Sequence, residues 1–124
     1  MFLLVLRAYV SLLRLEIPLG RGNFAAIYNS VRRHPCRSTN SVGDPTERVC
    51  SAVDLACVWY WKQVLCLQRS AATVRLLRDR GVPAQLVIGA QQVPFKAHAW
   101  VEVQGQVVND RSYTGEMYAV LDRC

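Results

Sequence analysis

FKAHAWVEVQGQVVND, residues 95–110, is the stretch on which the fold turns. Two runs suited to strands, AHAWVEV and QVVND, flank Gln104 and Gly105, so the segment reads as a β-hairpin. It carries His98, one of two histidines, and ends in Asp110. Register decides whether these two meet. A two-residue turn at Gln104 and Gly105 sets Val103 against Gln106 and His98 against Arg111, and sends Asp110 to the other side of the sheet. A three-residue loop, Val103 to Gly105, sets Glu102 against Gln106 and His98 against Asp110. Glycine in third place suits that loop, whereas a two-residue primed turn favours Asn-Gly or Asp-Gly. The three-residue loop is therefore expected. Cross-strand β-carbons ~5 Å apart then let the carboxylate accept from the imidazole. The same register puts Trp100 opposite Val108 on the His98 face.

Upstream of the hairpin, CLQRSAATVRLLRDRG predicts a helix over 66–80, with Leu67, Ala71, Val74 and Leu77 on one side. Gly81 ends it, and Arg75, Arg78 and Arg80 suit the negative end of its dipole. AQLVIGA (84–90) follows as a buried strand, and MYAVLD (117–122) as a last one. Before these, DPTERVCSAVDLACVW opens with a helix signal: Asp44 as N-cap, Pro45 at the first helical position, Glu47 as reciprocal cap. Its apolar stripe is Val49, Ala52, Val53, Ala56 and Cys57, which makes Cys50 and Cys57 packing residues. FAAIYNSVRRH forms a short helix ended by Pro35, and CRSTNSVGD a polar loop. At the start, residues 2–16 read as an amphipathic helix stopped near Pro18 and Gly20. Arg7, Ser11 and Arg14 share one face; Leu3, Leu4, Leu6, Val10, Leu13 and Ile17 occupy the rest. The helix covers the core or, as the lesser reading, lies on a membrane or a partner protein. Helices first and antiparallel strands after indicate an α+β fold.

The 124 residues suffice for a single domain (1–124), with an N-terminal helical segment over 1–35 and a core over 44–124. Apolar residues are 52% and charged residues 19%, a globular composition. The net charge of +6 suits an acidic peptide or an anionic partner, or marks a solvated surface with none. No basic stripe alternates with aromatics, so nucleic-acid binding is not expected. No apolar run reaches the ~18 residues of a membrane span, and MFLLVL lacks the basic flank of a signal peptide. Five cysteines without a CxxC pair or zinc-ligand spacing argue for reduced thiols in a cytoplasmic protein, with no metal and no other cofactor.

Cys66 stands where a helix begins and where a capping residue would be usual, a position at which the dipole favours a thiolate. Lys62 would add to that if it pointed the same way. His34 lies in a basic loop without a strand partner. Thiolate chemistry on an amide needs a nucleophile, an imidazole to exchange the proton, and an acceptor to orient the ring. Cys66, His98 and Asp110 fit those roles in that order.

The segment from Cys66 to Asp110 resembles the microcin-processing B protein C-terminal family, the transglutaminase-like cysteine peptidases of lasso-peptide biosynthesis. The matching parts are the Cys66-Leu67-x-Arg69-Ser70 helix start, RGVPAQLVIG, PFKAHAWVEVQG and the closing VND. The resemblance implies a papain-like or transglutaminase-like core, helices packed on an antiparallel sheet. It implies a stand-alone cysteine peptidase that removes the leader from a ribosomally made precursor peptide. It implies two partners besides the precursor: a leader-recognition protein and an ATP-dependent macrolactam cyclase; the N-terminal helices are the expected docking surface for the first. Carried over, Cys66 is the nucleophile, His98 the general base and acid, and Asp110 the orienting residue. The Cys66 N–H is the natural first oxyanion donor, and Trp61 or Gln63 the second. Arg69 meets an acidic group of substrate or partner, or forms a structural ion pair. Trp59, Trp61 and Trp100 line a peptide groove or pack in the core.

Overall fold

The computed structural model describes residues 2–37, 43–92, 94–111 and 114–124. Four helices precede the strands: α1 Phe2–Gly20, α2 Phe24–Arg33, α3 Thr46–Trp59 and α4 Cys66–Asp79. Strands β1 Ala84–Gln92, β2 Phe95–Val103 and β3 Gln106–Val107 follow, then a single-turn helix α5 Thr114–Met117 and strand β4 Ala119–Arg123. The sheet order is β3-β2-β1-β4, with antiparallel pairing throughout. This is the expected α+β arrangement. The polar loop expected after α2 lies partly outside the described residues.

The sheet has two unlike faces because side chains alternate along each strand. Ala84, Leu86, Ala99 and Val101 join the large core formed with the helices, while Val87, Trp100 and Tyr118 form a smaller cluster behind. Helix α4 is the central element. Its apolar Ala71, Val74 and Leu77 are fully buried, and so is Gln68, whose amide donates to the Leu12 carbonyl at 2.8 Å. Arg78 was expected near the end of α4 as a favourable charge on the dipole; it is instead a buried clamp. Its guanidinium donates to the main-chain oxygens of Ala84 (3.0 Å), Val31, His34 (3.1 Å) and Cys124 (2.8 Å). Backbone acceptors can solvate a cation that has left water, which is what makes its burial tolerable.

Helix α1 departs from expectation at both its end and its faces. It runs through Pro18 to Gly20. A proline so close to the helix end forfeits one amide bond, while the next turn still closes, Arg21 N–H to Ile17 and Asn23 N–H to Pro18. Gly22, at φ +68°, then turns the chain. The stripe that α1 buries is Leu4, Ala8, Leu12 and Leu15. Of the apolar residues expected inward, Leu3, Leu6, Val10, Leu13 and Ile17 face solvent. Ala8 is fully buried in the core that α1 shares with α3 and α4.

Helix α3 starts one residue later than expected, with Pro45 just outside it. Asp44 still serves that end, accepting from the Thr46 N–H at 3.0 Å and from its hydroxyl. No reciprocal bond from Glu47 is found among the described residues. His34 is not partnerless: its Nε2 lies 2.6 Å from Asp79 Oδ1, tying the end of α2 to the end of α4.

Candidate active site

The hairpin adopts the register that was not expected. Val103 pairs with Gln106 and Glu102 with Val107, so the turn is the two residues Gln104 and Gly105. Both carry positive φ, 52° and 78°, as a type I′ turn requires. Gln104 is a poor residue for that conformation, and packing overrides it. In this register Val107 joins the Trp100 cluster and Val108 packs on the helix side, not beside Trp100.

His98 and Asp110 meet nonetheless. Regular pairing stops after Val107, with one further bond from the Val108 N–H to the Val101 carbonyl. At the next position the side chain of Asn109 takes the place of a strand: its Oδ1 accepts from the Val101 N–H at 2.8 Å. Asn109 Nδ2 donates to Ser70 Oγ at 3.0 Å, and Ser70 Oγ donates to the Ala99 carbonyl at 3.2 Å. Arg69 donates to the Asn109 carbonyl. Held this way, the chain bends out of the ladder, and Asp110 Oδ2 comes to 2.5 Å from His98 Nε2.

The pair has a defined proton arrangement. Burial alone would raise the Asp110 carboxyl. Hydrogen bonds from His98 and the Arg111 N–H, with the charges of His98 and Arg69, outweigh it and hold the group below its ordinary value. An ionised carboxylate only accepts, so Nε2 must carry the hydrogen. Nδ1 is then the nitrogen left for proton transfer. The imidazole is fixed on its faces too, stacked on Tyr118 at 5.3 Å and on Trp100 at 6.0 Å between ring centroids. Gly89 makes that stack possible, since a β-carbon there would lie 2.6 Å from Trp100 Cη2 and 2.9 Å from Tyr118 Cβ.

Cys66 is the first residue of α4, partly buried against the helix-side core. One turn further along α4, Ser70 grips the carbonyl of Ala99, the neighbour of His98. Helix α4 therefore lies against the histidine strand, with Cys66 in the helix-side cluster and the His98 ring in the cluster of Trp100 and Tyr118 behind the sheet. Among the described residues the thiol makes no hydrogen bond to the ring.

The remaining expected site residues fall elsewhere. Trp100 is fully buried, its indole N–H donating to Glu102 at 2.9 Å, so it does not line a groove. Trp59 and Trp61 are 75% and 66% exposed and remain open to a ligand. Trp61 stands against Tyr60 and beneath the Lys62 ammonium. Lys62 itself is paired with Glu16 of α1 at 2.8 Å. Gln63 borders a cavity shared with Asp54, Cys57 and Arg69. No hydrogen bond links Trp61 or Gln63 to Cys66 among the described residues. Arg69 is engaged internally, with Asp54 at 4.0 Å as well as with Asn109. Asn109, Tyr118 and Gly89 were not singled out from the sequence. The adjacent polar residues Arg69 and Ser70 in the first turns of α4 were the available signal for Asn109.

The chain belongs to the transglutaminase-like superfamily, which it matches over residues 9–123. It is similar to the Microcin J25-processing protein McjB of Escherichia coli, 53% identical over 45 residues. That match takes in 36% of this chain and 22% of McjB, so it reaches only a minor part of the curated protein. No solved structure matches the chain.

Proposed function

We propose that the chain is a cysteine peptidase that removes the leader from a ribosomally made lasso-peptide precursor. Its nucleophile is Cys66, its general base and acid His98, and its orienting carboxylate Asp110. The observation that carries this reading is the His98–Asp110 pair, whose chemistry leaves Nδ1 free to exchange a proton with a thiol. The similarity to a microcin-processing protein supports the substrate class. In the reaction, the Cys66 sulfur attacks the scissile carbonyl while His98 takes the thiol proton and returns it to the leaving amine. Water then hydrolyses the thioester, with His98 as base. The Cys66 N–H, at the head of α4, is one donor to the developing oxyanion, and Trp61 or Gln63 the other. A leader-recognition protein delivers the precursor, and an ATP-dependent cyclase takes the released core peptide. The setting is cytoplasmic; among the described residues no helix is long and apolar enough to cross a membrane.

The test is incubation of precursor with the chain and a leader-binding protein, followed by mass spectrometry. Cys66→Ala and His98→Ala should abolish cleavage with the fold kept, and Asp110→Asn should lower the rate by 10²-fold or more, as loss of the correct tautomer does elsewhere. Cleavage by the Cys66→Ala protein at the wild-type rate would end the proposal. A product carrying an added amine instead of water would reassign the chain to amide-forming acyl transfer.

A further inference from the structure

The outward face of α1 is left uncovered by the core. Leu3, Leu6, Val10, Leu13 and Ile17 follow one another at alternating intervals of three and four. They are 71%, 49%, 39%, 41% and 62% exposed. Helices carry this spacing where they pack along another helix, with β-branched and leucine residues in alternate seam positions. Here Leu3, Val10 and Ile17 share one such position and Leu6 and Leu13 the other. The buried stripe of α1 lies on the opposite side, so the core does not account for the seam.

The edge of the seam is basic. Arg7 and Arg14 occupy the flanking position of successive repeats, and Arg21 follows the helix at the same interval. Between α1 and α4 runs a groove of about 370 Å³ whose lining includes Leu6, Val10, Arg7, Arg14, Arg75 and Asp79. Asp79 is occupied by His34. Arg7, Arg14 and Arg75 form no ion pair among the described residues. A second copy of the chain would not satisfy them. On the other edge of the seam, Glu16 is bonded to Lys62 and Tyr9 stacks on Tyr60, so both are turned to the body of the protein. A groove with an arginine on its far wall admits a ridge of side chains, whereas a flat bilayer touches its crests.

We propose that this face docks an amphipathic helix of a partner protein, one with an apolar seam at three–four spacing edged by Asp and Glu. Binding is apolar along the seam and selected by charge at the rim.

Two synthetic helices of three heptads test this, both with leucine seams, one edged by glutamate and the other by lysine. Titration against the full chain by fluorescence anisotropy should show saturable binding of the glutamate peptide. The lysine peptide should bind at least tenfold more weakly. Leu6→Asp with Leu13→Asp should remove binding; both positions are exposed, and an unchanged melting temperature confirms the fold. Arg7→Glu with Arg14→Glu should reverse the preference between peptides. Equal affinity for the two peptides, or none for either, overturns the proposal. So does sedimentation as a dimer that Leu13→Asp dissociates, or binding to phosphatidylglycerol vesicles in preference to the glutamate peptide.

Discussion

Of the five thiols, Cys50, Cys57 and Cys124 lie where burial raises their pKa, Cys50 to about 11. At neutral pH a thiol near 11 is thiolate in roughly one molecule in ten thousand, and the thiolate is the reactive form. Cys36 is exposed and gives an internal reference. Iodoacetamide at pH 6.5 is expected to label Cys66 first, Cys36 next and the other three slowly, as read by peptide mapping. His98→Ala should bring Cys66 down to the rate of Cys36. A rate that ignores the substitution would separate the thiol from the imidazole. Arg69 gives a different lesson at this scale: its guanidinium holds the bend that presents Asp110, and its charge lowers that carboxyl.

The helices and strands were legible where periodicity and end signals agreed. Cys66–Asp79 follows from its apolar spacing and Gly81, and β1 and β2 from their apolar character and the turns around them. The meeting of His98 with Asp110 was expected for the wrong reason. Turn preference pointed to three residues, yet the turn has two, which puts Val107 with Trp100 and Val108 on the helix side. Contact is then recovered through Asn109, whose side chain replaces a strand, and no local sequence rule describes that. The rotation of α1 was illegible for a related reason, since both its faces are apolar and only tertiary contact chooses between them. The cost of the tight turn is measurable. Gln104 holds φ 52°, a conformation asparagine tolerates better, so Gln104→Asn should raise stability by about 0.5–1 kcal/mol in urea unfolding. A loss of stability would contradict the type I′ turn.

Across the whole molecule, Arg78 joins parts that are remote in sequence. Its four bonds reach the end of α2, the segment after it, the start of β1 and the last residue beyond β4. Arg78→Met keeps much of the volume and leaves those main-chain oxygens without their donor. It should cost about 3 kcal/mol or more, read as a lower urea midpoint, with loss of cooperativity between α2 and the sheet. A change within about 0.5 kcal/mol would mean that water replaces the guanidinium. Because each acceptor is a main-chain oxygen, the side chains at Val31, His34, Ala84 and Cys124 take no part in the bond itself. Chemical identity at those four places can drift, within the limits their own packing sets, and the knot stays tied. The whole burden of invariance falls on one arginine.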